Sequence, residues 1–213
     1  MATNAVPGFL PSRHGFRFPN RWPHGAAMVK VGRLRIPIGD TGRGLCGGMV
    51  FAARDRFERG EDRSPDAEPP ARGTPLFEEI VERQLASFFF LSVPFRFWRS
   101  AAGSERRRQR ETADVAWPAI RAEIDAGRPA MIGLIRLATW NPLAPLGHQV
   151  VGFRYEERAA GITIGVYDPN HPGDDDVEIL VRHTANGAVA LSQSTGEPLL
   201  GLLSLPYVPA ARR

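Results

Sequence analysis

Cysteine is almost missing from this chain, since position 46 holds the only one among 213 residues. A single cysteine excludes an internal disulfide framework and favours a reducing compartment. No run approaches the ~18 consecutive apolar residues of a membrane-spanning helix. The first residues also lack the basic-then-apolar layout of a secretory signal. We therefore expect a cytoplasmic protein without a transmembrane segment.

Lysine is equally scarce, because Lys30 is the only one and arginine supplies nearly all of the positive charge. The net charge of +4 is uneven: residues 96–110 hold six arginines against Glu105. A domain that binds nucleic acid usually spreads its charge along a face or a helix with interleaved aromatic residues. Here the charge is concentrated in one predicted loop, so we expect a solvated loop and no nucleic-acid partner. The alternative is that this loop contacts nucleic acid or an anionic surface.

The hydrophobic pattern predicts helices in the first part of the chain. Apolar residues recur at three- and four-residue steps after Cys46, which predicts a helix that stops near Gly60. Thr74 followed by proline predicts the start of a second helix. A third helix is expected near Pro118 to Ala126. The segment from Ser92 to Arg110 is predicted to be irregular.

Six short segments rich in β-branched and aromatic residues follow, separated by Gly, Pro, Asn and Asp. They cover residues 129–137, 148–156, 161–169, 177–184, 187–194 and 201–208. Short linkers favour antiparallel neighbours, and helices followed by strands favour an α+β fold. We expect a single domain with an N-terminal arm over 1–40, a helical lobe over 41–127 and an antiparallel sheet lobe over 128–210.

The lone Cys46 stands in the stretch GLCGG, where the first predicted helix begins. Unpaired N–H groups and the helix dipole favour a thiolate there. Beside an imidazolium, the pKa of such a thiol falls to between ~3.5 and ~7.5. Gly47 and Gly48 are poor helix formers, which suggests that a substrate or a facing strand approaches the backbone closely. The alternative is that Cys46 is a small buried hydrophobic residue.

Two downstream residues are candidates to act with this thiol. His148 opens one predicted strand, and Asp168 lies at the far end of the next. If these strands are antiparallel neighbours, the carboxylate holds the imidazole tautomer while the other ring nitrogen takes the thiol proton. The alternatives are an ordinary surface histidine and an Asp-Pro turn. The three residues fall short of the four ligands of a structural zinc site, so no metal is expected.

The ordered motifs GLCGG, IDAGRPAMIGL, GHQVVGFRYE and VYDPN resemble the papain-like cysteine peptidases, above all their bacteriocin-processing (double-glycine) group. The resemblance covers roughly residues 40–184. It implies a papain-like fold, a peptide or protein substrate and no cofactor. It also implies that Cys46 is the nucleophile, His148 the general base and Asp168 the orienting residue. Asn170 is a rival for this third role.

One position departs from the family pattern. Papain-like enzymes usually carry a glutamine six residues before the nucleophile, and its amide forms the oxyanion hole together with the N–H of the nucleophile. Here that position is Asp40, and losing one such donor costs roughly 2.7–4 kcal/mol of transition-state stabilisation. The oxyanion region is expected around Asp40 and Gly47. The alternative amide donors are Asn20, Gln84 and Gln149.

The expected function is a thiol hydrolase that cleaves a peptide or isopeptide bond through an acyl-enzyme on Cys46. Two alternatives remain open. A catalytically degenerate binding domain is favoured by the carboxylate at position 40. An acyltransferase would use the same three residues. The sequence leaves the oligomeric state open.

Overall fold

The computed structural model describes residues 1–31, 34–62, 65–142, 144, 147–183 and 189–211. The helices are α1 (Pro11–His14), α2 (Cys46–Glu58), α3 (Pro75–Ser87), α4 (Ser92–Ala101), α5 (Glu105–Arg110) and α6 (Trp117–Asp125). A 3₁₀ turn covers Thr41–Arg43, and a π-helical segment covers Glu111–Ala116. None of the helices within the described ranges is both long and apolar enough to cross a membrane.

The strands are β1 (Ala2–Ala5), β2 (Ala26–Val31), β3 (Leu34–Asp40), β4 (Ala130–Ile135), β5 (Gly147–Arg158), β6 (Gly161–Tyr167), β7 (Glu178–His183), β8 (Val189–Gln193) and β9 (Gly201–Ser204). The large sheet has the order β8-β7-β6-β5-β4-β9, and β1 pairs with the end of the long strand β5. Every pairing is antiparallel. The predicted α+β class and the six predicted strands are confirmed, although residues 184, 187 and 188 lie outside the described ranges.

The three predicted helices are also present. The first begins at Cys46, and the third ends just before Gly127. The second has the predicted cap, since the side chain of Thr74 accepts a hydrogen bond from the N–H of Phe77, and Pro75 occupies the first turn.

The prediction of an irregular segment from Ser92 to Arg110 is wrong, because α4 and α5 lie there. Pro94 falls in the first turn of α4, where its missing N–H needs no partner within the helix. Phe97 is buried and anchors this helix to the core. Ser104 caps α5 by accepting a hydrogen bond from the N–H of Arg107. Much of the basic stretch is therefore helical instead of a loop.

The N-terminal arm is built into the core. Asp175 caps α1 from a distant loop, accepting hydrogen bonds from the Ser12 N–H at 2.7 Å and from the Ser12 hydroxyl at 2.6 Å. The Phe16 N–H donates to the hydroxyl of Tyr167 at 3.1 Å. Phe16 and Phe18 are fully buried. The arm thus fixes the end of β6, close to Asp168.

Helix α2 separates two apolar clusters and is buried on nearly all sides. Val50 and Phe51 pack into the larger cluster, which lies between the sheet and the helices. Met49 joins the smaller cluster, which the arm and α3 complete through residues such as Phe18 and Ile80. The start of α2 is therefore located where the arm, α3 and the sheet meet.

Candidate functional site

A tight turn delivers Cys46 to the first position of α2. After the 3₁₀ turn, Gly44 takes a φ of 83°, a conformation that favours glycine. The amide of Asn20 lies only 2.5 Å from the position that a Cβ on Gly44 would take. A larger residue at position 44 would therefore displace Asn20 and redirect the chain that leads into the helix.

The N-terminus of α2 is left open for a negative charge. Within the part of the chain that the structure describes, Leu45 makes no side-chain cap and the first turn has no acidic residue. The positive end of the helix dipole therefore acts on Cys46. The N–H of Gly47 is directed to the sulfur. Cys46 as a whole residue is half-buried.

The two glycines after Cys46 have mainly a packing role. A Cβ on Gly48 would overlap the backbone carbonyl oxygen of Ile80, which belongs to α3. A Cβ on Gly47 would overlap the hydroxyl of Ser87 and approach the amide of Gln149 to 2.8 Å. The expected close approach exists, but it comes chiefly from the facing helix α3 rather than from a substrate, while β5 contributes one side chain.

His148 and Asp168 meet through the pairing of β5 with β6, which brings the start of one strand beside the end of the other. The Nε2 atom of His148 lies 2.6 Å from Oδ1 of Asp168, and both side chains are buried. An ionised carboxylate only accepts hydrogen bonds. Nε2 of His148 therefore carries the proton and donates the hydrogen bond to Asp168. His148 also hydrogen-bonds with Cys46, and Nδ1 is the nitrogen left for that contact.

Opposite charges hold the buried pair in its ionised form. Burial alone would raise the pKa of Asp168, but the charge of His148 and hydrogen bonds from His148, Asn170 and Gln193 lower it to about 2. Burial alone would lower the pKa of His148, but Asp168 and Cys46 raise it to about 10. The imidazole is therefore an imidazolium at neutral pH.

The same balance acts on the thiol. Burial opposes ionisation, but the charge and the hydrogen bond of His148 outweigh it. The backbone N–H groups of Gln149 and Gly47 add further stabilisation, and the pKa of Cys46 falls below that of an ordinary thiol. The arrangement can therefore hold a nucleophilic thiolate next to a proton donor, which is the chemistry of covalent catalysis.

Two residues that sequence reasoning missed lie at Oδ2 of Asp168: Gln193, which hydrogen-bonds to it, and Arg136, whose Nη2 lies 3.9 Å away. Gln193 donates from Nε2 to Oδ2 of Asp168 at 2.8 Å. Arg136 donates from Nη2 to Oε1 of Gln193 at 2.7 Å and from Nη1 to the carbonyl of Pro198 at 3.1 Å. The one available signal is the alternation of β8, which places Gln193 on the same inward face as Val189.

Asn170 supports the carboxylate instead of the imidazole. Its N–H donates to Oδ1 of Asp168 at 2.9 Å, and its side-chain oxygen accepts from Nδ2 of Asn20 at 3.2 Å. Of the two candidates for the orienting role, Asp168 is the one that contacts His148.

Asp40 acts as a structural cap. It accepts hydrogen bonds from the N–H groups of Gly25 at 2.8 Å and Gly42 at 2.9 Å, and its other oxygen lies 2.8 Å from Nδ1 of His24. The Gly25 N–H, His24 and the Gly42 N–H hold the pKa of Asp40 well below its usual range. Of the two residues of the expected oxyanion region, Gly47 is the one whose N–H reaches the sulfur.

Asn20 is the alternative amide that adjoins the entrance to α2. Its Oδ1 accepts the N–H of Leu45, the residue before the nucleophile, at 2.6 Å. Its Nδ2 extends toward the exposed side chain of Asn170. This placement fixes one end of the amide and leaves the donor end near the surface.

The other two amides are engaged between elements. Gln84 accepts the N–H of Gly48 through Oε1 at 2.9 Å and thereby joins α3 to α2. Gln149 donates to the hydroxyl of Ser87 at 3.4 Å. Because side chains alternate along a strand, the side chain of Gln149 lies on the face of β5 opposite to that of His148. The backbone N–H of Gln149 nevertheless faces Cys46. Within the described residues, no group of three or more His, Cys, Asp or Glu side chains is arranged to hold a metal ion.

Comparison with protein-family models, with curated proteins and with solved structures gave no match to this chain. The relationship to papain-like peptidases therefore stays a prediction from the motifs, and the functional argument rests on the geometry around Cys46.

Proposed function

We propose that this protein is a papain-like thiol hydrolase that cleaves a peptide or isopeptide bond through a covalent intermediate on Cys46. The observation that carries the proposal is the buried hydrogen bond of 2.6 Å between His148 and Asp168. It fixes the imidazole so that its remaining nitrogen serves the thiol at the start of α2.

In the first half-reaction the Cys46 thiolate attacks the carbonyl carbon and forms a C–S bond. The imidazolium of His148 gives its Nδ1 proton to the leaving amine as the C–N bond breaks. In the second half, neutral His148 takes a proton from water, and the water oxygen attacks the thioester. The C–S bond breaks, and the thiolate and imidazolium are restored. Asp168 stays ionised throughout and accepts the hydrogen bond from the Nε2–H group of His148.

The developing oxyanion needs hydrogen-bond donors, and this proposal draws them from the first turn of α2 and from Asn20. The N–H groups at a helix N-terminus point toward a negative charge at that end. The amide of Asn20 is anchored to Leu45 through its oxygen, and its Nδ2 would exchange the hydrogen bond to Asn170 for one to the substrate. Asn20 would then supply the donor that position 40 lacks.

The test is cleavage of a diverse mixture of synthetic peptides and isopeptides, with mass spectrometry of the new termini. Because Cys46 is the only cysteine, iodoacetamide blocks a single site. We expect cleavage by the unmodified protein and none by the blocked protein or by Cys46→Ala. Cleavage that survives in Cys46→Ala would contradict the proposal, and Ser192→Ala, an exposed change on β8, is the matched control.

A second candidate is a binding domain with a degenerate site, which the capping role of Asp40 favours. In that case Cys46→Ala retains full affinity for the peptides that the unmodified protein binds, and no peptide is cleaved. Acyl transfer is separated from hydrolysis by adding a primary amine during turnover. A product joined to that amine, formed in excess over the hydrolysed acid, would identify a transferase.

A further inference from the structure

Helix α4 carries aromatic side chains on both of its sides. Val93 and Phe97 are buried and form the usual inward face. On the outward side Phe95 is 56% exposed, and its ring centroid lies 5.7 Å from that of Trp98. A helix on the surface of a globular protein normally turns polar residues to water. Packing against the core therefore does not explain the aromatic residues on the outward side of α4.

Neighbouring segments enlarge this apolar surface. Phe90, which is 99% exposed, and Leu91 precede α4. Trp140, which is 76% exposed, joins it through a hydrogen bond of 3.1 Å from Nε1 of Trp98 to the Trp140 carbonyl. We refer to Phe90, Leu91, Phe95, Trp98 and Trp140 as the aromatic patch. Contiguous apolar patches of this kind mark interaction surfaces.

The backbone that displays the patch is strained. Phe89, Phe90 and Leu91 have φ values of 44°, 52° and 68°, in the left-handed region that bulky residues rarely enter. Such strain persists mainly where the structure serves a function. Here the strained backbone projects the ring of Phe90 almost completely into solvent, where the ring adds nothing to folding stability.

Arginines adjoin the patch. A shallow cleft of about 430 Å³ lies between α4 and the following segment. Four arginines line it: Arg96, Arg99, Arg107 and Arg110. Glu111 and Asp114 also line it, and Nη2 of Arg99 lies 3.8 Å from Oε1 of Glu111. Positive charge exceeds negative charge in the cleft, which makes it suitable for anionic headgroups.

We propose that the aromatic patch and the arginine cleft dock this protein on the surface of an anionic lipid bilayer. Aromatic rings settle at the level of the lipid headgroups, and basic residues beside them are attracted to anionic lipids. Phe90 projects outward, so the surface acts as a wedge that inserts, whereas a peptide ligand needs a groove. A nucleobase could stack on the ring of Phe90 but not on the aliphatic side chain of Leu91, whereas acyl chains can cover both residues.

The test is flotation of the full chain with phosphatidylcholine vesicles that contain or lack phosphatidylglycerol, at low and at high salt. We expect binding only with phosphatidylglycerol, and weaker binding at high salt. Phe90→Ser and Arg99→Glu should each lower the bound fraction about tenfold. Arg182→Glu is the matched control, because it makes the same charge change on an exposed residue of β7. Cys46→Ala should bind unchanged, since docking is independent of the thiol chemistry.

Three results would overturn the proposal. One is the lack of binding to anionic vesicles. Another is an equal loss of binding in Arg182→Glu and Arg99→Glu, which would reduce the effect to net charge. The third is tighter binding to a free oligonucleotide than to vesicles at equal phosphate concentration, which would assign the arginines to nucleic acid.

Discussion

At the scale of single residues, the two oxygens of Asp168 have separate tasks. Oδ1 accepts hydrogen bonds from His148 and from the N–H of Asn170, and Oδ2 accepts one from Gln193, which Arg136 holds in turn. A carboxylate fixed on both sides cannot rotate away from the imidazole. Gln193 is therefore a positioning residue, because it acts on the thiol only through Asp168 and His148.

Gln193→Leu should weaken this arrangement. Removing a hydrogen bond to a buried charge lowers the free energy of unfolding by about 1.5–3 kcal/mol. Because Asp168 then holds the imidazolium less well, alkylation of Cys46 should also shift to higher pH. Urea denaturation and the pH profile of iodoacetamide labelling measure the two effects. Ser192→Ala is the control on the exposed face of β8, and an unshifted labelling profile in Gln193→Leu would leave Gln193 with a structural role alone.

Asn20→Asp separates the two ends of the Asn20 amide. The carboxylate still accepts the N–H of Leu45 but cannot donate to an oxyanion. We therefore expect kcat to fall by about 10²–10³ with little change in KM. Thermal stability should fall slightly, because the hydrogen bond from Asn20 to Asn170 is also lost. Asp40→Gln should not restore the lost activity, since position 40 is directed toward Gly25 and Gly42. Full peptidase turnover by Asn20→Asp would exclude Asn20 from the oxyanion site.

The sequence predicts Cys46, His148 and Asp168 together because each lies at the end of an element with a clear pattern. His148 and Asp168 belong to consecutive strands, so their meeting follows from a simple hairpin. Gln193 and Arg136 could not be found in this way. They come from β8 and from the end of β4, and their approach depends on the complete sheet and on the loop that contains Pro198.

At the scale of elements, the contact of α2 with α3 decides the position of the thiol. Gly48 allows the two helices to approach until only a glycine fits against the Ile80 carbonyl. The neighbouring Gly47 faces side-chain atoms of Ser87 and Gln149 instead of a backbone carbonyl.

The sign of the change in unfolding free energy of Gly48→Ala tests this contact. Helix propensity alone would stabilise the protein by up to ~1 kcal/mol. The overlap with a backbone carbonyl should instead destabilise it by about 1–3 kcal/mol. Gly47→Ala is the matched control and should lower the free energy of unfolding by less, because side-chain atoms can shift more easily than a backbone carbonyl. Urea denaturation measures both variants, and a stabilised Gly48→Ala would contradict the packing account.

Helix α4 and the strands β2 and β3 escaped sequence analysis for identifiable reasons. Because α4 carries aromatic residues on its outward side as well, its sequence lacks the clear apolar and polar faces of a surface helix. Pro94 also suggests a helix breaker, although it lies in the first turn. Strands β2 and β3 form a separate two-stranded sheet, in which Pro37 pairs with Met28. Proline is tolerated in a strand at a sheet edge, but in a sequence it argues against a strand.

At the scale of the whole molecule, the N-terminal arm ties the site together. It buries Phe18 between α2 and α3, adds β1 to the main sheet and delivers Asn20 to the start of α2. The sequence of the arm has no pattern that predicts its structure. The positions of its aromatic residues are explained only by the surfaces that they cover in the folded protein.

Phe18→Ala should therefore destabilise the entire protein. Truncating a fully buried phenylalanine typically costs about 3–5 kcal/mol of unfolding free energy. Leu10→Ala, in the same arm but exposed, is the matched control and should change stability little. Thermal or urea unfolding measures both. Equal stability of the two variants would show that the arm does not belong to the cooperative core.

The central claim is that His148 and Asp168 keep the Cys46 thiol ionised, and the pH dependence of iodoacetamide labelling tests it most directly. Every labelled molecule reports on Cys46, because the chain has no other cysteine. The account predicts rapid labelling well below the usual thiol pKa of about 8.5, and a shift of the profile to higher pH in His148→Ala. A profile that matches an ordinary thiol and stays unchanged in His148→Ala would contradict it.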